Sequence, residues 1–184
     1  MSTDDSSLPS PAAVTALQEL ELQAVRLRAR LANADDLFRA ADAALDAGIY
    51  SPGLAEVAFF AEKQLSELSV PYLAAMGDLG IITPENEEGI IWYLLRRYIG
   101  DVAAGTVGPK VGAARVVSEV DRHFHLDQRI KKYVGDSHGI EYIMSLYYAY
   151  DDVDENRFAE VDGLLVEACR EWMQEALEGE RGVR

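Results

Sequence analysis

Helix-start and helix-stop signals recur along almost the whole chain, and they limit its fold more than any other feature. Three starts, Ser10-Pro11, Ser51-Pro52 and Thr83-Pro84-Glu85, each place a capping residue before a proline at the first helical position. Between these signals, apolar residues recur at spacings of three and four, which is typical of one face of a helix. No segment alternates apolar and polar residues between hairpin turns, as a strand would. The pattern predicts an all-α fold.

The length and composition favour one hydrophobic core. The chain has 184 residues, of which 49% are hydrophobic. We predict a single-domain helical bundle of about seven or eight helices over residues 11–178, with a disordered tail at 1–10 and a flexible tail at 179–184. The N-terminus does not have the basic and apolar regions of a signal peptide, and no apolar run is long enough to span a bilayer. The sequence therefore predicts a cytoplasmic protein with no membrane contact.

Several helix boundaries follow from the same signals. We expect one helix from Ser51-Pro52 to about Leu68, and a short one from Pro71 to Leu79. A further short helix is expected at Arg129–Val134. The last helix is expected to run from about Asp154 to about Leu177.

The stretch from Ile90 to Ile99 is predicted to be the central helix. Its apolar residues cover most of the helix circumference, so Trp92 is expected to be among the most buried side chains. Arg96 and Arg97 interrupt this apolar surface. The sequence leaves open whether they are buried and paired or mark an exposed end.

Two glycine-containing motifs carry a resemblance. They are the corner Gly48-Ile49-Tyr50-Ser51-Pro52 and the helix start Gly105-Thr106-Val107-Gly108-Pro109-Lys110-Val111-Gly112-Ala113. Together they resemble a group of small bacterial all-helical proteins, over roughly residues 35–125. Because these motifs are helix corners rather than reaction centres, the resemblance implies a fold and no activity.

Acidic residues dominate the charge of the chain. It carries 32 Asp and Glu against 17 Lys and Arg, for a net charge of -15. This balance argues against nucleic acids and anionic membranes as partners, because neutralising phosphates requires clustered Lys and Arg. A basic protein is therefore the expected charged partner, with a metal ion as the other charged ligand to consider. The oligomeric state is left open.

The C-terminal third carries the residues best suited to bind such a partner. Acids of the last helix recur four residues apart, a spacing of like charges that costs an isolated helix a few tenths of a kcal/mol per pair. Tyr148 is expected to expose part of its ring while its neighbour Tyr147 turns inward. We predict a non-catalytic protein-interaction module, of the immunity or adaptor type. A solvated face that only keeps the protein soluble is the alternative. The predicted binding residues are Tyr148, Asp151, Asp152, Glu167, Glu171 and Glu175.

A metal-assisted activity is the second functional hypothesis. Asp151, Asp152 and Asp154 are dense enough in oxygen to hold Mg²⁺ or Ca²⁺, as in a small hydrolase or transferase. The spacing fails as a calcium-binding loop, because Arg157 replaces the turn glycine and Gly163 stands where a bidentate glutamate is needed. We therefore predict no cofactor and no catalytic residue, and we keep these three aspartates as weak metal candidates.

The three histidines give no clear site. His123 and His125 lie two residues apart on a predicted helix, so they point to different faces and cannot chelate one metal together. Asp121 precedes His125 by four residues and is a candidate ion-pair or proton-transfer partner. His138, beside Asp136, could face that pair across a turn. Helix-end histidines without a catalytic role are the favoured interpretation.

Overall fold

A computed structural model describes residues 10–59, 64–129 and 138–181, and these residues form eight α-helices and no strand. The predicted all-α bundle of seven or eight helices is therefore confirmed. None of the described helices is long and apolar enough to cross a bilayer. The helices are α1 (Pro11–Arg28), α2 (Ala34–Asp46), α3 (Pro52–Phe59), α4 (Leu65–Asp78), α5 (Glu87–Ala103), α6 (Pro109–Arg115), α7 (Glu141–Ala149) and α8 (Phe158–Arg181).

Within this fold, backbone contacts separate two compact units, residues 1–90 and 91–184. The predicted domain limits at residues 11 and 178 remain predictions. α1 begins at Pro11, and α8 continues to Arg181, past both the predicted tail boundary and the helix end expected at Leu177. The remainder of the two predicted tails lies outside the described residues.

In the first unit, α1 to α4 pack around one apolar core. Capping starts two of these helices: the Ser10 hydroxyl accepts a hydrogen bond from the Ala13 amide, and the Asn33 side chain accepts one from Asp36. The Tyr72 hydroxyl donates to the Leu20 carbonyl at 3.0 Å, which joins α4 to α1 inside the core. The largest fully buried residues of this core are Leu20, Leu37, Leu54, Leu68 and Tyr72.

The predicted helix start at Pro71 is wrong. α4 begins six residues earlier, at Leu65, where the Gln64 amide donates to the Glu67 carboxylate at 2.9 Å. Pro71 lies inside the helix, although proline cannot donate the usual helical hydrogen bond. The predicted single helix to Leu68 is also wrong, because Gln64 has an extended backbone, φ -75° and ψ 157°, and a separate helix begins at Leu65. Burial of Leu68 and Tyr72 in the core explains why packing overrides the proline signal.

The predicted central helix corresponds to α5, but the predicted start at Thr83-Pro84-Glu85 is wrong: α5 begins at Glu87, where the Asn86 side chain accepts a hydrogen bond from the Gly89 amide at 2.7 Å. Trp92 is not among the most buried residues of α5. Trp92 is half-buried and stacks on Trp172, with 5.9 Å between the ring centroids. Arg96 and Arg97 are also half-buried: Arg96 lies over the Trp92 ring, and Arg97 donates to Asp101 at 3.0 Å. The fully buried side is formed by Ile91, Leu94, Leu95, Tyr98, Ile99 and Val102.

In the second unit, α6 continues as a π-helical segment, Val116–Asp121. Gly112 of α6 lies so close to α5 that an added Cβ would be 2.1 Å from a Val102 methyl group. The segment Leu126–Arg129 is a 3₁₀ helix, and the rest of the short helix predicted at Arg129–Val134 lies outside the described residues. A 3₁₀ turn, Glu155–Arg157, precedes α8, so α8 begins four residues after the predicted Asp154.

Candidate interaction surface

One face of α8 carries a buried apolar stripe that packs inside the second unit. Val161, Leu165, Ala168 and Trp172 recur at spacings of three and four and are all buried. The Trp172 indole N–H donates to the His138 carbonyl at 2.9 Å. Because the inward side is fixed in this way, residues on the other side of α8 face solvent.

An aromatic and cationic cluster orients the N-terminal end of α8. The rings of Tyr150 and Phe158 meet edge to face at 5.3 Å, and the Lys110 ammonium lies 4.7 Å from both ring centroids. The Tyr150 hydroxyl donates a short hydrogen bond to the Asp162 carboxylate. Burial, with the neighbouring Asp162 carboxylate, raises the pKa of Tyr150. Asp162 therefore has a structural partner inside the protein.

Acidic residues form a continuous stripe on the exposed side of α8, here called the acidic stripe. It comprises Glu160, Leu164, Glu167, Glu171 and Glu175, which are all exposed and follow one another at helical spacings of three and four. Glu160 pairs with Arg157 at 3.0 Å. The other three carboxylates make no hydrogen bond or ion pair with any part of the chain that the structure describes.

The nearest arginine on α8 does not neutralise this stripe. Arg170 follows Glu167 by three residues, a spacing at which the two side chains can pair. Its guanidinium instead donates to the Ala103 carbonyl at 3.3 Å. The unpaired acids therefore keep their full attraction for an external cation.

The acidic stripe contains one apolar side chain that the sequence interpretation missed. Leu164 is 41% exposed and lies between Glu160 and Glu167 on the helix surface. A leucine surrounded by carboxylates matches the arrangement of a binding site in which an apolar anchor is rimmed by charge. The three- and four-residue spacing of Leu164 from these acids was the sequence signal that could have identified it.

The structure places Tyr148 beside a cation rather than beside the acids of α8. Its ring is 39% exposed and meets Tyr147 edge to face at 5.3 Å, while Tyr147 is half-buried. The Tyr148 hydroxyl accepts a long hydrogen bond, 3.4 Å, from Arg122. The hydrogen bond from this arginine to Tyr148 raises the pKa of Arg122.

The candidate aspartates lie in the turn between α7 and α8. Asp151 and Asp152 are exposed, and their amides donate to the carbonyls of Tyr148 and Ala149, which closes the end of α7. Asp154 is also exposed and makes no side-chain capping bond. No three His, Cys, Asp or Glu side chains of the described residues are grouped in a way that would hold a metal ion. The metal hypothesis therefore gains no geometric support here.

The histidines are not brought together as a site. His123 and His125 are exposed in the turn after the π-helical segment, where His125 adopts a left-handed backbone conformation, φ 53°. His138 is buried, with its ring 5.0 Å from that of Trp92. Asp121 is buried and its Oδ1 has no hydrogen-bond partner, and no hydrogen bond or ion pair joins it to His125, its candidate partner, within the described residues. Asp136 lies outside the described residues.

Cys169 is an inert core residue. It is buried on α8, and burial raises the pKa of its thiol to about 12. A thiol in this environment stays protonated near neutral pH and is a poor nucleophile.

Comparison with known proteins gives no relative for this fold or this surface: no protein-family model, curated protein or solved structure matches the chain. The predicted resemblance to small bacterial helical proteins therefore stays a prediction.

Proposed function

We propose that this protein is a non-catalytic interaction module, of the immunity or adaptor type, whose acidic stripe on α8 binds a basic protein. The observation that carries the proposal is the set of unpaired, exposed carboxylates Glu167, Glu171 and Glu175. Three like charges in successive turns of one helix oppose its stability, so they are best explained by a cation that arrives from outside.

Leu164, which was not predicted, and the remaining predicted residues have distinct roles in this proposal. Leu164 supplies an apolar anchor inside the charged rim, where a partner side chain would exclude water. Asp151 and Asp152 extend the negative charge to the turn before α8. The Tyr148 hydroxyl accepts a hydrogen bond from Arg122. Its own O–H can therefore donate to a hydrogen-bond acceptor that the partner carries beside its basic residues.

The charge of the partner follows from long-range electrostatics. A net charge of -15 repels polyanions and accelerates encounters with cations. Such steering acts mainly on the association rate and is screened within about 10 Å at 0.1 M salt. The association rate should therefore fall steeply as the salt concentration rises.

The test begins with recovery of the partner from the native host, followed by binding kinetics at low and physiological salt. The triple variant Glu167→Gln, Glu171→Gln, Glu175→Gln should slow association roughly tenfold or more at low salt, with little change in dissociation. Leu164→Ser should instead accelerate dissociation, because it removes an anchor and no charge.

A matched control separates the stripe from the overall charge. The triple variant Asp42→Asn, Asp46→Asn, Asp78→Asn removes the same number of exposed carboxylates from the first unit, and none of the three has an ion pair with a described residue. This control variant should reduce the association rate only slightly. If both triple variants slow association equally, or if the stripe variant binds as the native protein does, the acidic stripe is only a solvated surface.

A further inference from the structure

An apolar groove in the first unit forms a second candidate surface, far along the chain from the acidic stripe. It has a volume of about 320 Å³. One wall is a ridge of α1 and the other is the segment that follows α4. The lining residues are Val14, Leu17, Gln18, Glu21, Leu79, Ile81 and Ile82.

The wall after α4 is built by a helix-ending turn. Gly80 has a left-handed conformation, φ 68°, and the Ile81 amide donates to the Met76 carbonyl at 2.9 Å. These are the features of a Schellman turn, which reverses the chain direction after a helix. Leu79 and Ile81 consequently pack on the core, while Ile82 is left 89% exposed at the groove edge.

The opposite wall has the spacing of a helix-binding ridge. Val14, Leu17, Gln18 and Glu21 stand at positions i, i+3, i+4 and i+7 of α1, so they form one row about 10 Å long. A row of this length matches two turns of a second helix. Amphipathic helices bind to such grooves through apolar residues at the same spacing.

The charge in the groove points to the chemistry of its occupant. Glu21 is half-buried at one end of the α1 ridge and makes no hydrogen bond or ion pair within the described chain. No Lys or Arg lines the groove. A partly desolvated carboxylate among apolar side chains favours a ligand that combines apolar residues with one cation.

We propose that this groove binds an amphipathic helix of a partner protein, with two apolar residues against Leu17 and Ile82 and a Lys or Arg paired to Glu21. The site does not depend on the acidic stripe and lies in the other compact unit. Glu21 sets the charge preference, and the apolar walls supply the contact area.

The test uses two synthetic helical peptides made of leucine and alanine, one carrying lysines and the other glutamates at the same positions. Methyl chemical shifts of Val14, Leu17 and Ile82 report on binding at physiological salt. The protein carries the triple Gln change of the acidic stripe, which removes the competing site for cations. The lysine peptide should shift these methyl signals, and the glutamate peptide should not.

Three variants identify the contacts. Glu21→Gln should weaken the affinity of the groove for the lysine peptide roughly threefold to tenfold. Glu21→Lys should make the groove bind the glutamate peptide in preference to the lysine peptide. Ile82→Ser should weaken binding of the lysine peptide, and because Ile82 is exposed this change leaves the core intact. Asp42→Asn is the matched control and should change nothing. Shifts that fall on α8, equal binding of the two peptides, or unchanged binding by Ile82→Ser would each overturn the proposal.

Discussion

Asp121 is a buried residue whose environment disfavours its charge. It is only 5% exposed, and its Oδ1 atom has no hydrogen-bond partner. Burial raises the pKa of this carboxyl above its ordinary value of 3.8, and the nearby Asp127 raises it further, while Arg122 opposes the shift. It ends the π-helical segment, where the Arg122 amide bonds five residues back to the Val117 carbonyl. π-Helical turns occur frequently at functional sites.

The first prediction concerns Asp121→Asn. Since the pKa is raised in the folded protein, this carboxyl stabilises the fold fully below pH 3.8, and that contribution is lost as the pH rises through the raised value. At pH 7 the neutral amide should therefore increase the free energy of unfolding by about 1 kcal/mol. The gain should disappear in acid. Urea unfolding from pH 3.5 to pH 7 measures it.

The exposed Asp42→Asn change is the control for this series. It should show no pH-dependent difference from the native protein beyond a few tenths of a kcal/mol. A gain for Asp121→Asn that is the same at every pH would mean that the pKa of this carboxyl is not raised in the folded protein.

At the scale of the helices, glycine has two opposite roles in the second unit. Gly112 lets α6 approach α5, because any Cβ there would collide with Val102. Gly163 lies on the exposed side of α8, where a Cβ would meet nothing within 4 Å. Both stand within helices, so only the surrounding structure tells them apart.

The second prediction compares alanine at these two sites. Gly163→Ala should stabilise the protein by about 0.5–1 kcal/mol, because alanine is the better helix former. Gly112→Ala should destabilise it by about 1–3 kcal/mol through overpacking. Thermal or urea unfolding of both variants provides the measurement.

A double-mutant cycle identifies the cause of the second effect. Gly112→Ala should cost clearly less in a Val102→Ala background, because the colliding methyl group is then absent. Equal costs in the two backgrounds would mean that the two helices do not meet at this point.

At the scale of the whole molecule, the main electrostatic feature is an excess of acid that internal pairs do not balance. The net charge is -15, and Glu167, Glu171 and Glu175 of the acidic stripe have no internal partner among the described residues. Mutual repulsion of like charges destabilises a compact state and is weakened by salt. Ionic strength, rather than one particular cation, should therefore control stability.

The third prediction is that NaCl and MgCl₂ at equal ionic strength raise the melting temperature by the same amount. A specific magnesium site would add about 2.7 kcal/mol at a hundred times its dissociation constant. The double variant Asp151→Asn, Asp152→Asn should respond to both salts as the native protein does. A magnesium-specific increase that this variant abolishes would instead support the metal-assisted alternative.

The sequence by itself determined the all-α class and most helix starts. Capping residues and prolines act within one helical turn, and Ser10-Pro11 and Ser51-Pro52 start helices as predicted, whereas α5 begins at Glu87 and not at Thr83-Pro84. The exposure of Glu167, Glu171 and Glu175 was also predictable, because it follows from their spacing relative to the apolar stripe of the same helix.

Only the tertiary structure decided which signals were overridden and which polar groups found partners. Pro71 lies inside a helix because its neighbours are buried in the core. Trp92 is only half-buried, although the helix that carries it is largely apolar. The Asp121 carboxyl is left without a partner on Oδ1 because packing buries it. Arg170 bonds to the Ala103 carbonyl, which lies far from it in the chain. Local spacing carries no record of such contacts, because they form only when separate helices pack together.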